Sequence, residues 1–158
     1  MESPIEVIYK DKLVFELFKP INIFLCNEVK NRKHPVIVIY KITYENKIYI
    51  GQTIDVENRF KKYSKLHCKS QTYLHDSLKK HGIENFTFEI IHILEKGNLT
   101  DSEITSELNK LEINYIKEYN SFVDDNEEGL NLTRGSSNGK PSNETRKRIR
   151  QERLTMIF

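Results

Sequence analysis

The sequence predicts an α/β fold of the α+β type, in which strands and helices follow the order β-β-α-α-β-α behind an N-terminal strand extension. Two apolar, β-branched runs within residues 36–52 flank a short polar turn, which is typical of a β-hairpin. Two stretches of helical spacing separate this hairpin from a further strand at 86–94, where Phe and Ile alternate. A Thr-Asp-Ser-Glu capping box at 100–103 then opens the last helix of the domain.

The chain is predicted to divide into three segments. Residues 1–35 form an N-terminal β extension, because IEVIY, LVFELF and INIFLC are short apolar runs between polar or Pro-containing stretches. We expect this extension to cover a sheet edge or to add to the core. Residues 36–134 form the main domain, and residues 135–158 form a basic tail. The tail is expected to begin flexible and to end as a short helix capped by Ser142 or Asn143.

The parity of the hairpin brings two tyrosines to one face. A loop of two residues at 45–46 pairs Tyr40 with Gly51 and Ile42 with Tyr49. Because opposed residues of an antiparallel pair share a face, Tyr40 and Tyr49 are then diagonal neighbours. A loop of four residues keeps this parity, whereas a loop of three sends the tyrosines to opposite faces. Gly51 leaves open space beside the Tyr40 ring, where a backbone or a ligand can approach.

An arginine and a third tyrosine follow on the next helix. Asp55 or Thr53 can cap a helix from 55 to about 65. Arg59 and Tyr63 are four positions apart and therefore share one face of it. Asp55 is also four positions before Arg59, so an exposed ion pair worth about 0.3–0.5 kcal/mol is the alternative role for the arginine. The tyrosine hairpin beside this helix favours a functional role.

The next two helices have clear boundaries, and the second of them carries a carboxylate inside its apolar stripe. Ser70 is a candidate cap for the helix QTYLHDSLKKHG, and Gly82 is expected to end it. The helix after the capping box runs to about Tyr119, and its wheel places Glu112 within the apolar stripe. A carboxylate at such a position is usually paired, protonated or bound to a cation. The alternative is a Glu at the edge of the stripe that reaches water.

Charge and cysteine content narrow the class of protein. The net charge of +2 is too small to indicate nucleic-acid binding, but residues 139–154 carry six Lys or Arg against two Glu, and 124–128 (DDNEE) is acidic. Cys26 and Cys68 are far apart and form no CxxC pair, so no structural zinc site is expected. The N-terminus does not resemble a signal peptide, and no apolar run is long enough to span a bilayer. We therefore expect a soluble, intracellular protein.

Residues 36–134 resemble the GIY-YIG nuclease family. The likeness rests on VIY at 38–40, an intact YIG at 49–51 and an arginine ten residues past the second tyrosine. The positions that match the family's motif residues are Tyr40, Tyr49, Arg59, Tyr63, Glu112 and Asn131. Val38 replaces the Gly of GIY, and Leu130 stands where Tyr is common. The resemblance implies a small, central, mostly antiparallel sheet of three strands flanked by helices.

The resemblance also implies an endonuclease that hydrolyses DNA phosphodiester bonds. A single divalent cation, Mg²⁺ or Mn²⁺, would be held by Glu112, with water and substrate oxygens completing its shell. Tyr40 would be the general base for water, and Arg59 would hold the phosphate. Tyr49 and Tyr63 would orient water or phosphate.

Two further residues receive roles at this site. A phenol titrates near pH ~10, so Tyr40 needs positive charge nearby to act as a base. Lys47 lies on the tyrosine face in the expected register and is a candidate for lowering the pKa of Tyr40 or for helping to take its proton. The resemblance gives Asn131 the role of fixing the pocket or contacting the phosphate.

The tail resembles a small DNA-binding motif, rich in SxET and basic residues, that follows nuclease domains in phage and mobile-element homing endonucleases. Its candidate DNA contacts, beside Arg59 in the domain, are Lys140, Arg146, Lys147, Arg148 and Arg150. DNA is the expected partner, with no membrane and no small-molecule cofactor, and the oligomeric state stays open. A homing- or restriction-like enzyme is favoured. The alternatives are a catalytically silent nucleic-acid-binding module and a structure-specific repair nuclease.

Overall fold

The computed structural model describes residues 6–9, 12–16, 23–24, 35–135 and 143–157. The predicted tail contact Lys140 and the candidate cap Ser142 lie outside this part of the chain.

A six-stranded sheet forms the centre of the described structure. Its strands are β1 (Glu6–Tyr9), β2 (Lys12–Glu16), β3 (Ile23–Phe24), β4 (Ile37–Tyr44), β5 (Lys47–Thr53) and β6 (Thr87–Leu94). They lie side by side in the order β3-β2-β1-β6-β4-β5. Strands β6, β4 and β5 are antiparallel and make up the predicted three-stranded sheet. Strand β1 pairs with β6 in parallel, so the N-terminal strands extend this sheet at its β6 edge.

The hairpin of β4 and β5 has the predicted register. Tyr40 opposes Gly51 and Ile42 opposes Tyr49, which confirms that the two tyrosines share a face. The two-residue loop begins with Glu45, whose φ of 51° is the left-handed conformation that a tight hairpin turn often requires.

Four α-helices accompany the sheet in the described residues. They are α1 (Val56–Ser64), α2 (Thr72–His81), α3 (Asp101–Glu118) and α4 (Asn143–Ile157). The Asp55 carboxylate accepts the backbone N–H of Asn58 at 3.1 Å and caps α1, as predicted. Thr100 and Glu103 form the predicted capping box at the start of α3. No helix of the described residues is long and apolar enough to cross a membrane.

The predicted cap of α2 is wrong by one residue. The helix begins after Gln71 rather than after Ser70, and the side chain of Gln71 makes no capping bond because it reaches the hairpin instead. Gly82, with a φ of 84°, ends the helix as expected. The ring of His81 stacks on Tyr44 of β4 with their centroids 4.5 Å apart, which places α2 on the tyrosine face of the sheet.

Helices α1 and α3 cover opposite faces of the sheet. Phe60 of α1 packs edge-on against Tyr40, with the ring centroids 5.2 Å apart. On the other face, the amide of Gln52 in β5 donates to Asn109 of α3 at 2.9 Å. Helices α1 and α2 therefore cover the tyrosine face of the sheet.

Helix α4, which corresponds to the short basic helix expected in the tail, is docked on the protein. The hydroxyl of Thr145, which is buried, donates to Asp124 at 2.6 Å. The guanidinium of Arg148 lies 3.7 Å from the carboxylate of Glu127. The acidic loop (residues 124–128) and the basic helix α4 are thus neighbours in the fold. Their opposite charges attract each other across this contact.

Candidate active site

Three tyrosine side chains meet on the face of the hairpin that α1 covers. The hydroxyl oxygens of Tyr40 and Tyr63 are 2.5 Å apart, and neither side chain has exposed surface. The Tyr49 ring centroid lies 6.3 Å from that of Tyr40. Tyr49 is half-buried and is the member of the trio that solvent reaches. Two strands and one helix supply these residues, so the predicted cluster of Tyr40, Tyr49 and Tyr63 is formed.

Gly51 makes room for Tyr40 itself. A Cβ atom on Gly51 would lie 2.4 Å from Cζ and 2.5 Å from the hydroxyl oxygen of Tyr40, which is closer than real Cβ contacts. The open space expected beside the ring is therefore filled by the Tyr40 ring itself. The absence of a side chain at Gly51 lets the Tyr40 hydroxyl lie over β5 and reach Tyr63.

Arg59 of α1 is the cation of this cluster. Partial burial lowers its pKa, but interactions with Tyr40 and Tyr63 outweigh burial and raise the pKa overall. Asp55, the partner in the alternative ion pair, caps the helix instead. Tyrosines of the cluster are thus electrostatic partners of Arg59.

The pKa of Tyr40 is raised, mainly because burial disfavours the charged phenolate. Arg59 and hydrogen bonds with Tyr63 and Gln71 act in the opposite direction. The Glu112 carboxylate raises the pKa a little further. Tyr40 is therefore a neutral phenol at physiological pH, although Arg59, Tyr63 and Gln71 each stabilise its deprotonated form.

Glu112 is half-buried on α3, and its negative charge affects the pKa of Tyr40 and of Tyr49. Burial is the main cause that raises the pKa of Tyr49, and the charges of Tyr40 and Glu112 raise it further. The chemistry fits one divalent cation at Glu112, because Mg²⁺ commonly uses few carboxylates and keeps several waters. The described residues contain no cluster of three or more His, Cys, Asp or Glu side chains that could hold a metal.

The side chain of Asn131 binds the edge of β5. Its Nδ2 donates to the carbonyl of Ile50 at 2.8 Å, and its Oδ1 accepts the Ile50 N–H at 2.8 Å. The hydroxyl of Ser121 donates to the same Oδ1 at 2.7 Å. The amide therefore imitates a neighbouring strand and ties the loop after α3 to the strand that carries Tyr49. These bonds favour a role in fixing the pocket over direct contact with a phosphate.

Comparison with known proteins decides the family of this chain. The family model of the GIY-YIG catalytic domain matches residues 36–127, from the start of β4 to the acidic loop. The chain belongs to the GIY-YIG family. The matched segment is accordingly a nuclease catalytic domain.

A curated relative of this GIY-YIG protein comes from a virus. The chain is 33% identical over 88 residues to the putative MSV199 domain-containing protein 146R of Invertebrate iridescent virus 6. The aligned residues cover 54% of this chain and 34% of that protein, so the chain spans about a third of the relative's length. No solved structure matches the chain significantly.

Lys47 of the GIY-YIG hairpin lies away from the tyrosine cluster, contrary to its predicted role. It opposes Tyr44, four residues along β4 from Tyr40, a separation of about 13 Å at the usual rise per residue. Its ammonium group lies 3.2 Å from the carboxylate of Glu128. Arg59 is the cation that lowers the pKa of Tyr40. Lys47 is on the predicted face of the hairpin, but it lies at the turn end of β5, opposite Tyr44 and far from Tyr40.

The basic residues of α4 divide into two groups. Arg146, Lys147 and Arg150 are exposed, as DNA contacts must be. Arg148 is turned toward the protein, where Glu127 partly neutralises it. Three of the four described α4 residues that the sequence predicts as DNA contacts are therefore exposed.

Gln71 is a residue of the tyrosine cluster that the sequence pattern did not indicate. Its Nε2 donates to the hydroxyl of Tyr49 at 2.5 Å, which connects α2 to the tyrosine cluster of the GIY-YIG domain. A weak signal was present in the sequence, because Gln precedes the helix at a position where Ser, Thr, Asp or Asn is preferred.

Proposed function

We propose that this chain is a metal-dependent DNA endonuclease, homing- or restriction-like in type, that hydrolyses phosphodiester bonds. The observation that carries the proposal is the convergence of Tyr40, Tyr49, Tyr63 and Arg59 on one hairpin face, within electrostatic reach of Glu112. Phosphodiester hydrolysis needs an activated water, neutralisation of the phosphoryl group and stabilisation of the leaving oxygen. Each need has a candidate group here.

Tyr40 acts as the general base. Its phenolate form accepts a proton from the attacking water, and three neighbouring side chains, Arg59, Tyr63 and Gln71, favour that form. Arg59 lowers the pKa of Tyr40 by its charge, and Tyr63 does so by its hydrogen bond, both against the larger opposing influence of burial. Because Arg59 supplies the positive charge, the mechanism does not need Lys47.

Arg59 also binds the phosphate. A guanidinium presents two parallel donors to the phosphate oxygens, which a lysine cannot copy. Tyr63 fixes Tyr40 through the bond between their hydroxyl groups. Tyr49, which solvent reaches, orients water or a phosphate oxygen.

Glu112 would hold the divalent cation. When bound, Mg²⁺ or Mn²⁺ supplies charge neutralisation at the phosphate and stabilises the leaving 3′ oxygen. The carboxylate of Glu112 raises the pKa of Tyr40 and of Tyr49, in addition to the effect of burial. A cation bound to this carboxylate would offset its negative charge.

Helix α4 contributes to DNA binding through Arg146, Lys147 and Arg150. Exposed cations on one helix can bind the phosphates of a DNA duplex, and such contacts do not depend on the base sequence. The Thr145–Asp124 hydrogen bond supports a fixed position of these cations on the domain.

The test is cleavage of supercoiled plasmid by the purified protein, with Mg²⁺ or with EDTA, beside Glu112→Ala. The matched control is Glu107→Ala, which removes a half-exposed carboxylate, paired with Lys110, from the same helix. We expect nicking or linearisation in Mg²⁺ that is lost in EDTA and in Glu112→Ala but kept in Glu107→Ala. Full activity of Glu112→Ala would overturn the one-metal proposal, and DNA binding without cleavage would indicate a silent binding module.

A further inference from the structure

Gln71 occupies the start of α2 without acting as its side-chain cap. Its backbone is held on both sides, because its N–H donates to Cys68 at 2.9 Å and its carbonyl accepts the N–H of His75 at 2.8 Å. An N-cap residue usually turns a short polar side chain back onto its own helix. Gln71 directs its longer amide into the tyrosine cluster instead, where it donates to Tyr49. Local rules of this kind are commonly broken at functional sites.

The amide of Gln71 serves two tyrosines of the cluster. It hydrogen-bonds Tyr49 directly, and its hydrogen bonding also lowers the pKa of Tyr40 against the larger effect of burial. A donor aimed at a phenol oxygen stabilises the phenolate form. Tyr40 and Tyr49 lie on different strands, so a side chain from a third element that bonds the Tyr49 hydroxyl and acts on Tyr40 helps to hold their spacing.

We infer that Gln71 is a positioning residue of the nuclease, which donates to the Tyr49 hydroxyl and leaves the Tyr49 proton available to the substrate or its water. A tyrosine has one proton to donate, and the oxygen that accepts from Gln71 keeps that proton for another partner. This inference rests on the proposed function. It assigns Gln71 no contact with the DNA.

The test compares Gln71→Glu and Gln71→Ala with the wild type under single-turnover conditions on supercoiled plasmid in Mg²⁺. Glutamate has the same shape as glutamine, but its ionised form can only accept, so it would draw the Tyr49 proton toward itself. We expect both variants to cleave about 10- to 100-fold more slowly near pH 8, with DNA affinity within about twofold of the wild type.

The pH dependence separates positioning from a structural role. A protonated glutamate can donate, so the rate of Gln71→Glu relative to the wild type should recover toward pH 6, whereas that of Gln71→Ala should not. The matched control is Gln52→Ala, which removes a side-chain amide bond on the opposite face of the sheet. We expect it to cleave within about twofold of the wild-type rate.

The outcomes are distinguishable. If the wild type cleaves and both Gln71 variants match it, the role of Gln71 is overturned and the proposed function stands. An equal loss in Gln52→Ala, with no recovery of Gln71→Glu at low pH, makes Gln71 a structural residue and also overturns the inference. A wild-type protein that does not cleave overturns the proposed function itself. Melting temperatures of all variants show whether any loss of rate follows from unfolding.

Discussion

The Tyr40 hydroxyl lies at the centre of the site and has no exposed surface, whereas Tyr49 is half-buried. The proposed base is therefore the tyrosine that water reaches least easily in this structure. We expect Tyr40→Phe to lower the cleavage rate by about 100-fold or more, because general-base catalysis commonly contributes that much. Plasmid cleavage and binding of a labelled duplex, measured together, check this.

Tyr49→Phe is the comparison for this prediction. It also removes one hydroxyl from the cluster, and we expect a smaller loss of rate because Tyr49 only orients a substrate group in the proposal. A severe loss in Tyr49→Phe with an active Tyr40→Phe would move the base to the tyrosine that faces solvent.

The reaction should depend on pH in a defined direction. Burial foremost raises the pKa of Tyr40, so at neutral pH only a small fraction is phenolate, and that fraction grows as pH rises. We expect the single-turnover rate to increase by about tenfold per pH unit between about pH 6.5 and 8.5. A flat or falling rate over this range would show that deprotonation of Tyr40 does not limit cleavage.

Gly51 is expected to tolerate no side chain. An added Cβ would lie 2.4 Å from the Tyr40 ring, so either the ring or β5 must move. We expect Gly51→Ala to lower the free energy of unfolding by about 1–3 kcal/mol, the usual cost of overpacking, and to abolish cleavage. Urea unfolding followed by fluorescence measures the first effect. Unchanged stability would mean that the ring does not lie over Gly51 in solution.

At the scale of elements, Asn131 joins a loop to an edge strand. Its amide makes hydrogen bonds at 2.7–2.8 Å with Ile50 and Ser121, and the side chain is buried. We expect Asn131→Ala to destabilise the fold by about 2–4 kcal/mol, because the Ile50 backbone groups and the Ser121 hydroxyl lose their partner in a buried place.

The control for Asn131 is Asn114→Ala, which truncates an exposed asparagine on α3. Surface substitutions of this kind usually change stability by less than about 0.5 kcal/mol. Thermal unfolding of both variants decides between the two roles of Asn131. A stable but inactive Asn131→Ala would favour phosphate contact over fixing the pocket.

At the scale of the whole molecule, the docked helix α4 determines which basic residues can meet DNA. Arg146, Lys147 and Arg150 are exposed, whereas Arg148 lies beside the carboxylate of Glu127. We expect replacement of the three exposed cations by alanine to weaken binding of a labelled duplex. The slope of log affinity against log salt should fall by about 0.9 for each DNA phosphate that the variant no longer neutralises.

A matched triple variant tests whether this effect is specific to α4. Lys96, Lys110 and Lys117 are exposed on α3 or in the loop before it, and replacing them removes the same charge. An equal change of slope in both triple variants would indicate binding by overall charge and not by α4.

The sequence alone determined the features that depend on local geometry. The two-residue loop and the alternation of a strand place Tyr40 and Tyr49 on one face, and a spacing of four places Arg59 with Tyr63. The caps at Asp55 and Thr100 are similarly local. These relations involve neighbours along the chain, so the pattern of residue types is enough to predict them.

Contacts between groups far apart in the sequence depend on how the elements pack. The tertiary structure separated Lys47 from Tyr40, directed Gln71 to Tyr49 and docked α4 on the acidic loop. Each outcome depends on how elements far apart in the sequence pack together, and residue spacing carries no distance of that kind. Electrostatic and steric fit between the packed elements therefore selected Arg59 as the cation beside the tyrosines and Gln71 as their additional hydrogen-bond donor.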